Sequence, residues 1–557
     1  MRVIFKSARP IAGIPACWSG SFAGVILTWA MLLAGLSSPA SSAVAEPRLS
    51  LNLKNLFPAA NAKNVCPDTP LRVAFTTPPT LGSSGKIKVF DAADNKLVEA
   101  IDVGSRTATK TIGGLDNFNY YPVIVSGNQA SIYLKNGALS YNRTYYVTID
   151  AGVFQAGADH YAGIDQPAAW RFTTRATHVA AGAIRLTVAD DGTGDFCTVQ
   201  GALDFIPEGN TKPTTIFLRK GTYTEIVFFT NRHAITLLGE DRKQSVIAYA
   251  NNATFNNGGG NPYAGAAPNP SAEPRVGGNI YRRGVFLAHR VNDLVIANLT
   301  IRDTTPQGGS QAEAIILNGT PTARAILKDV DLYSYQDTLQ INGQAYISNC
   351  TIEGDVDFMW GTGPCFFENC VCRALRSGAY YTQVRNPATN RGFFYLHCVF
   401  DGIPGVMGNY LSRVQPARFP YSEVVLLDCV LGKAVGTVGW QFQDAPGVAY
   451  TNLPDVHFWE FNSHAADGKP VDVSLRLAGS RQLRQPVDAA TIVNCSNPAT
   501  VLGSGWNPKL ASIFATAQVK PMGGAARGVP VIVTQPAGQL ALLGTSPYLS
   551  VVPTGAE

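Results

Sequence analysis

Between residues 294 and 431, apolar and polar positions recur in a fixed order. Six segments superpose: Leu294–Ile301 (LVIANLTI), Ala325–Leu332 (AILKDVDL), Ala345–Ile352 (AYISNCTI), Cys365–Cys372 (CFFENCVC), Phe393–Phe400 (FFYLHCVF) and Val424–Leu431 (VVLLDCVL). Each is an apolar run, one polar residue, then an apolar pair or triplet. The polar residues are Asn298, Asp329, Asn349, Asn369, His397 and Asp428. The residues that follow them are Leu299, Val330, Cys350, Cys370, Cys398 and Cys429, at steps of 31, 20, 20, 28 and 31. Strand-like repeats joined by loops of variable length predict a parallel β-helix with one coil per repeat. Asp337 lies seven residues past Val330, and Asp357 seven past Cys350, so the two occupy the same place on successive coils. Stacked strands are about 4.7–4.9 Å apart, which sets the carboxylates face to face. Carboxylates that close do not ionise independently, and one pKa rises. The result is one acid and one nucleophile or base, the pairing that hydrolysis needs.

The rest of the chain divides around this block. In residues 50–175, runs such as Leu71–Thr76, Lys86–Asp91, Ala130–Leu134 and Thr144–Asp150 alternate apolar and polar between Gly/Asn/Pro turns. That pattern predicts a small antiparallel β-sandwich. No catalytic cluster occurs there, and a spacer role is the expectation. Thr177–Ala183 reads as a linker. The β-helix is expected over 184–510, with first coils at Thr214–Leu218, Glu225–Phe229 and Ile235–Leu238. Asn251–Gly278 is a Gly/Pro/Asn-rich insertion. After Trp440 the repeat fades, and 485–513 has room for a short helix. Residues 511–557 form a C-terminal extension, rich in Gly, Pro and Val from Gly523 onward.

Composition narrows the class. Charged residues make up only 15 %, while Gly (54) and Pro (35) are plentiful, as a turn-rich β protein requires. Residues 1–45 carry Arg2, Lys6 and Arg9, the apolar stretch Phe22–Leu36, then small residues through Ala43 and Ala45. This predicts an export signal that is removed, and a secreted or periplasmic protein without stable membrane insertion. Without the leader, 41 basic residues face 39 acidic ones, which gives nucleic acid no purchase. Nine cysteines remain, an odd number that argues against a full disulfide framework. Cys350, Cys370, Cys398 and Cys429 share one repeat position and read as a ladder of small buried side chains. A linear ladder does not offer zinc its tetrahedron. No Gly-x-Ser-x-Gly occurs, which disfavours a serine hydrolase.

Several motifs resemble those of the pectin methylesterases, carbohydrate esterases built on a right-handed parallel β-helix. Val188–Gln200 (VADDGTGDFCTVQ) is similar to that family's opening motif, and Gly221–Glu225 to its GxYxE element. Gln311–Ala314 resembles QAVA, and Tyr335–Leu339 matches YQDTL in full. Val356–Gly361 is close to VDFIFG, and Tyr410–Arg413 resembles YLGR. The opening LFPAANAKNVCPDTPLRVAF and closing AAWRFTTR of the first region resemble bacterial Ig-like modules. The resemblance implies an all-β chain, an Ig-like sandwich followed by the β-helix, acting on methyl esters of polygalacturonate. Asp357 would be the nucleophile, with Arg413 holding it ionised. Asp337 would be the acid and then the base, and Gln311 and Gln336 oxyanion donors. A carboxylate nucleophile calls for no metal and no cofactor, and a monomer is expected.

Aromatic candidates for sugar contact are Tyr223, Phe358, Trp360, Tyr381 and Trp440. The sequence departs from the family in three places. Val414-Gln415 stands where a Pro-Trp pair follows the arginine, Ser412 replaces a glycine, and Trp360 replaces a smaller aromatic. The missing tryptophan, a sugar-contacting residue in the family, keeps an esterase for another acyl ester as the alternative. A paired-carboxylate glycosidase lacks its expected Gly-His-Gly signature. A glycan-binding protein without catalysis would survive loss of Asp357.

Overall fold

The computed structural model describes residues 52–157, 159–256, 282–443, 455–514, 531–534 and 552–554. The expected leader, most of the insertion after Asn251 and most of the C-terminal extension lie outside the described residues.

Alternation in the first region buries one face of each strand, as in Leu71–Phe75, where Leu71, Val73 and Phe75 are inside. Two sheets result. One orders Leu53–Phe57, Leu71–Phe75, Gln129–Ile132 and Val123–Ser126. The other orders Ala62–Val65, Arg171–Thr174, Thr144–Ile149, Lys86–Asp91 and Leu97–Asp102. Val73, Phe75, Val89, Val147, Trp170 and Phe172 belong to their shared core. This is the expected sandwich, antiparallel except where Ala62–Val65 pairs in parallel with Arg171–Thr174.

From Arg185 the chain winds into a parallel β-helix of three sheets, with 11, 8 and 8 strands. Each repeat read from sequence spans a corner between the first and second sheets. The polar residue sits at that corner in left-handed backbone: Asn298 (φ 57°), Asp329 (56°), Asn349 (53°), Asn369 (56°), His397 (53°) and Asp428 (51°). Asn and Asp enter that region at least cost, which explains why the position is polar. The next residue drops into the lumen, and the four aligned cysteines are buried and free, as the ladder reading requires.

The repeat continues further than its sequence pattern. His457–Phe461 and Arg481–Gln482 extend the first sheet by two strands. Two short helices, Ala489–Cys495 and Pro498–Leu502, then cover that sheet's outer face. Ile492, Val501 and Leu502 share a core there with Ile326, Tyr346 and Phe394.

The sandwich is joined to the β-helix. Its hairpin Ala108–Ile112/Leu115–Tyr120 sends Ile112 and Phe118 into the β-helix core. Asn119 N–H donates to Asn256 Oδ1 at 2.7 Å, and Asn256 Nδ2 returns a bond to Asn119 O at 2.9 Å. Gly113 turns the hairpin at φ 56°, and a Cβ there would lie 2.1 Å from Phe228 O. A spacer needs no such joint. Gly113→Ala is expected to cost about 2 kcal/mol or more, from backbone strain plus a contact that only backbone movement relieves. Faster cleavage between the two regions in limited proteolysis checks this.

Candidate active site

A change of register in the third sheet aims the two aspartates. Gln336 pairs with Val356 and Leu339 with Met359, so Asp337 lies opposite Asp357 on the next coil. One strand further, Val356 opposes Tyr380 while Met359 opposes Thr382. Three steps on one strand meet two on its neighbour, which is a β-bulge. The backbone is left-handed at both aspartates, φ 68° at Asp337 and 48° at Asp357. Such strain costs of order 1 kcal/mol per residue and clusters where a bulge re-aims a side chain. Phe358 and Met359 both stay in the core, and the Asp357 carboxylate turns to Arg413.

The two carboxyls have different partners. Arg413, from the strand Tyr410–Val414, grips Asp357 with both prongs: Nε donates to Oδ1 at 2.7 Å and Nη2 to Oδ2. Burial raises the Asp357 carboxyl, and Arg413 and Arg385 oppose that rise. Asp337 meets a different cation, Arg283, whose Nη2 donates to Oδ2 at 2.7 Å. Arg283 is already held by Glu313, with Nε–Oε2 at 2.7 Å and Nη2–Oε1 at 2.6 Å. Burial raises Asp337 well above the ordinary carboxylate range; Arg283 opposes this, Glu313 and Asp357 add to it, and Arg385 opposes it. The rise wins because burial is the largest influence, Glu313 offsets Arg283, and Asp357 adds like charge. Both carboxyls are thus raised, Asp337 the further, and they divide by partner: Asp357 has Arg413 to itself, whereas Asp337 shares Arg283 with Glu313.

Tyr380 supports this division. The Arg413 guanidinium lies 4.3 Å above its ring, and Tyr410 stacks on it at 5.5 Å. Replacing Tyr380 by leucine removes a cation–π contact worth about 0.5–2 kcal/mol and frees Arg413 to swing. We expect turnover to fall by about 2–30-fold in kcat, by the same conversion. Little change in KM would fit a positioning role.

Each expected residue can now be placed. Asp337, Asp357 and Arg413 converge. Gln336 is half-buried beside them in sequence and register, and its carbonyl accepts from Ala312 N–H at 3.1 Å. Gln311, also half-buried, is the neighbour of Ala312 and so lies on the adjoining coil. The aromatic expectations need correction. Phe358, Tyr381 and Trp440 are fully buried in the lumen, where no sugar ring reaches them. Tyr223 is buried too, and its hydroxyl is spent on the carbonyls of Val188 (3.1 Å) and Arg219 (3.0 Å). Trp360 is on the outer face but only 6 % exposed, with Arg283 and Arg385 guanidiniums 5.7 and 5.1 Å from its ring. It serves as a platform for cations. Arg283, Glu313, Arg385 and Tyr380 were not expected. Glu313 carried a signal, a charged residue between two alanines in an apolar context.

A family model described as Pectinesterase matches residues 185–269 and 271–490, and one described as Bacterial Ig-like domain matches 49–174. Pectinesterase 31 of Arabidopsis thaliana is 29 % identical over 256 residues, 45 % of this chain and 75 % of that protein. Pectinesterase 2 of Olea europaea is 28 % identical over 331 residues, 58 % of this chain and 78 % of that protein. Among solved structures, the pectin methylesterase from carrot is similar with a TM-score of 0.46 and 20 % identity, over 58 % of this chain and 95 % of that one. The pectin methylesterase PemA from Erwinia chrysanthemi has a TM-score of 0.44 and 22 % identity, over 60 % and 100 %.

Proposed function

The chain belongs to the pectinesterase family and is an esterase, and from that premise we propose that it hydrolyses methyl esters of polygalacturonate to methanol and free carboxylates. The observation that carries the reading is the stacked pair Asp337 and Asp357 with unlike partners. Asp357, held ionised by Arg413, attacks the ester carbonyl. The amides of Gln311 and Gln336 donate to the oxyanion that forms. Collapse breaks the bond to the methoxy oxygen, which takes the proton of Asp337 and leaves as methanol. The product is an anhydride between Asp357 and the sugar carboxyl. Asp337, now ionised, takes a proton from water; the hydroxide attacks the anhydride, and Asp357 is released as carboxylate. Export to a compartment where pectin is met accords with the leader motif. Among the described residues no helix is long and apolar enough to cross a membrane.

A second reading keeps the chemistry and changes the ester. Val414 is buried, and Gln415 opens a turn in which its carbonyl accepts from the Arg418 and Phe419 N–H groups at 2.9 Å. The sugar-stacking tryptophan implied by the resemblance is therefore not supplied there. Pectin that carries both methyl and acetyl esters separates the readings. Methanol without acetate supports the first, and acetate without methanol the second.

A further inference from the structure

A second cluster lies at the seam between the sandwich and the first coil. The first coil precedes the one carrying Asp337 by four strands of the first sheet, about 19 Å along the axis. Cys66 and Asp68 follow the strand Ala62–Val65 of the sandwich; Cys197 lies just before Thr198, the N-cap of the α-helix Val199–Phe205 at the start of the β-helix domain. The two Sγ atoms and a carboxylate oxygen of Asp68 lie within 4.8 Å of one another. We propose that Cys66, Cys197 and Asp68 bind a divalent cation of the zinc class, which clips the N-terminal module to the catalytic domain.

Four observations support this. The three donors converge from two domains, unlike the linear cysteine ladder of the lumen. Asp68 has one oxygen fixed and one free: Oδ2 accepts from Cys197 N–H, Thr198 N–H and Thr198 Oγ1 at 2.8–2.9 Å, while Oδ1 is buried without a partner. Such a buried oxygen costs about 1–3 kcal/mol if left alone, and a cation would satisfy it. Arg175 Nη2 donates to Cys66 Sγ at 2.7 Å and to Gly194 O at 3.0 Å, the outer-shell contact that orients a thiolate ligand. Two thiolates and a carboxylate are then balanced by one divalent ion and the guanidinium. Finally, Asp68 and Cys197 line a cavity of about 680 Å³ between the two regions, which gives a path of entry and room for a water ligand. Thiol ligands select zinc over calcium or magnesium. Its binding displaces both thiol protons to solvent, so no oxidant or reductant is involved.

The test uses the full mature chain, purified without added metal, then dialysed against zinc with a chelator-treated control. We expect one zinc per chain by elemental analysis, lost in Cys197→Ser and bound at least about tenfold more weakly in Asp68→Asn, which keeps the oxygen that caps Thr198 but not the charge. If Cys197→Ser fails to fold, cobalt(II) added to the chelator-treated wild type decides: thiolate-to-cobalt charge-transfer absorption is expected. Absence of zinc and of that absorption overturns the proposal, whether the thiols prove free or the intact mass is two hydrogens short and peptide mapping places a disulfide at Cys66–Cys197. Zinc retained undiminished by folded Cys197→Ser overturns it as well.

Discussion

Asp357→Asn is expected to reduce methanol release by about 10⁴–10⁶-fold, the usual consequence of removing a nucleophile that works as part of a unit. Asparagine is the informative replacement. It tolerates the left-handed backbone at φ 48°, which costs alanine about 1–2 kcal/mol, and it still accepts from Arg413. The fold should survive, with a melting temperature within a few degrees of wild type. Loss of turnover without loss of fold assigns Asp357 to the chemistry. Turnover within tenfold of wild type would remove it from the mechanism and leave the bidentate Arg413 pair as architecture.

The second large effect concerns Asp337. Asp337→Asn keeps the shape, the φ of 68° and an acceptor for Arg283, but has no proton to give the leaving group. General acid–base catalysis contributes about 10²–10⁴-fold, and we expect kcat to fall within that range. Stability should move the other way. The folded-state pKa of Asp337 is raised above its unfolded value, so its contribution is present at low pH and lost as pH rises through the folded value. Above it, wild type holds an ionised Asp337 beside Glu313 and Asp357, whereas the asparagine variant does not. Thermal melts at mildly alkaline pH are therefore expected to favour the variant, and melts near pH 4 to show little difference.

Much of this was legible in the residues, and the failures have separate physical causes. The coil repeat showed through the polar corner residues because left-handed backbone restricts what can stand there. The stacking of Asp337 on Asp357 followed from equal offsets within two coils. The side of the sheet on which an aromatic falls did not follow. Tyr380 and Tyr381 are adjacent, and only Tyr380 reaches the outer face and Arg413. The bulge at Asp357 shifts the alternation by one residue, and a one-residue slip sends every later side chain to the other face. Trp440 is inside for the related reason that its neighbour Gln441 pairs with Arg413. Arg283 and Glu313 lie thirty positions apart on different coils, so their pairing is a property of the stack. The strand His457–Phe461 was missed because its coil lacks the cysteine or aliphatic residue that marks the earlier corners.

The division of the two carboxyls into nucleophile and acid is tested most directly by the pH dependence of kcat/KM on methyl-esterified polygalacturonate. Asp357 must be ionised, so activity falls as pH drops through its value; Asp337 must be protonated, so activity falls as pH rises through its raised value. Arg283, Glu313, Asp357 and Arg385 set the position of that alkaline limb. The expected profile is a bell in wild type, and in Asp337→Asn a low plateau that keeps the acid limb and loses the alkaline one. An alkaline limb of unchanged position in Asp337→Asn would contradict the account, because some other group would then be supplying the proton.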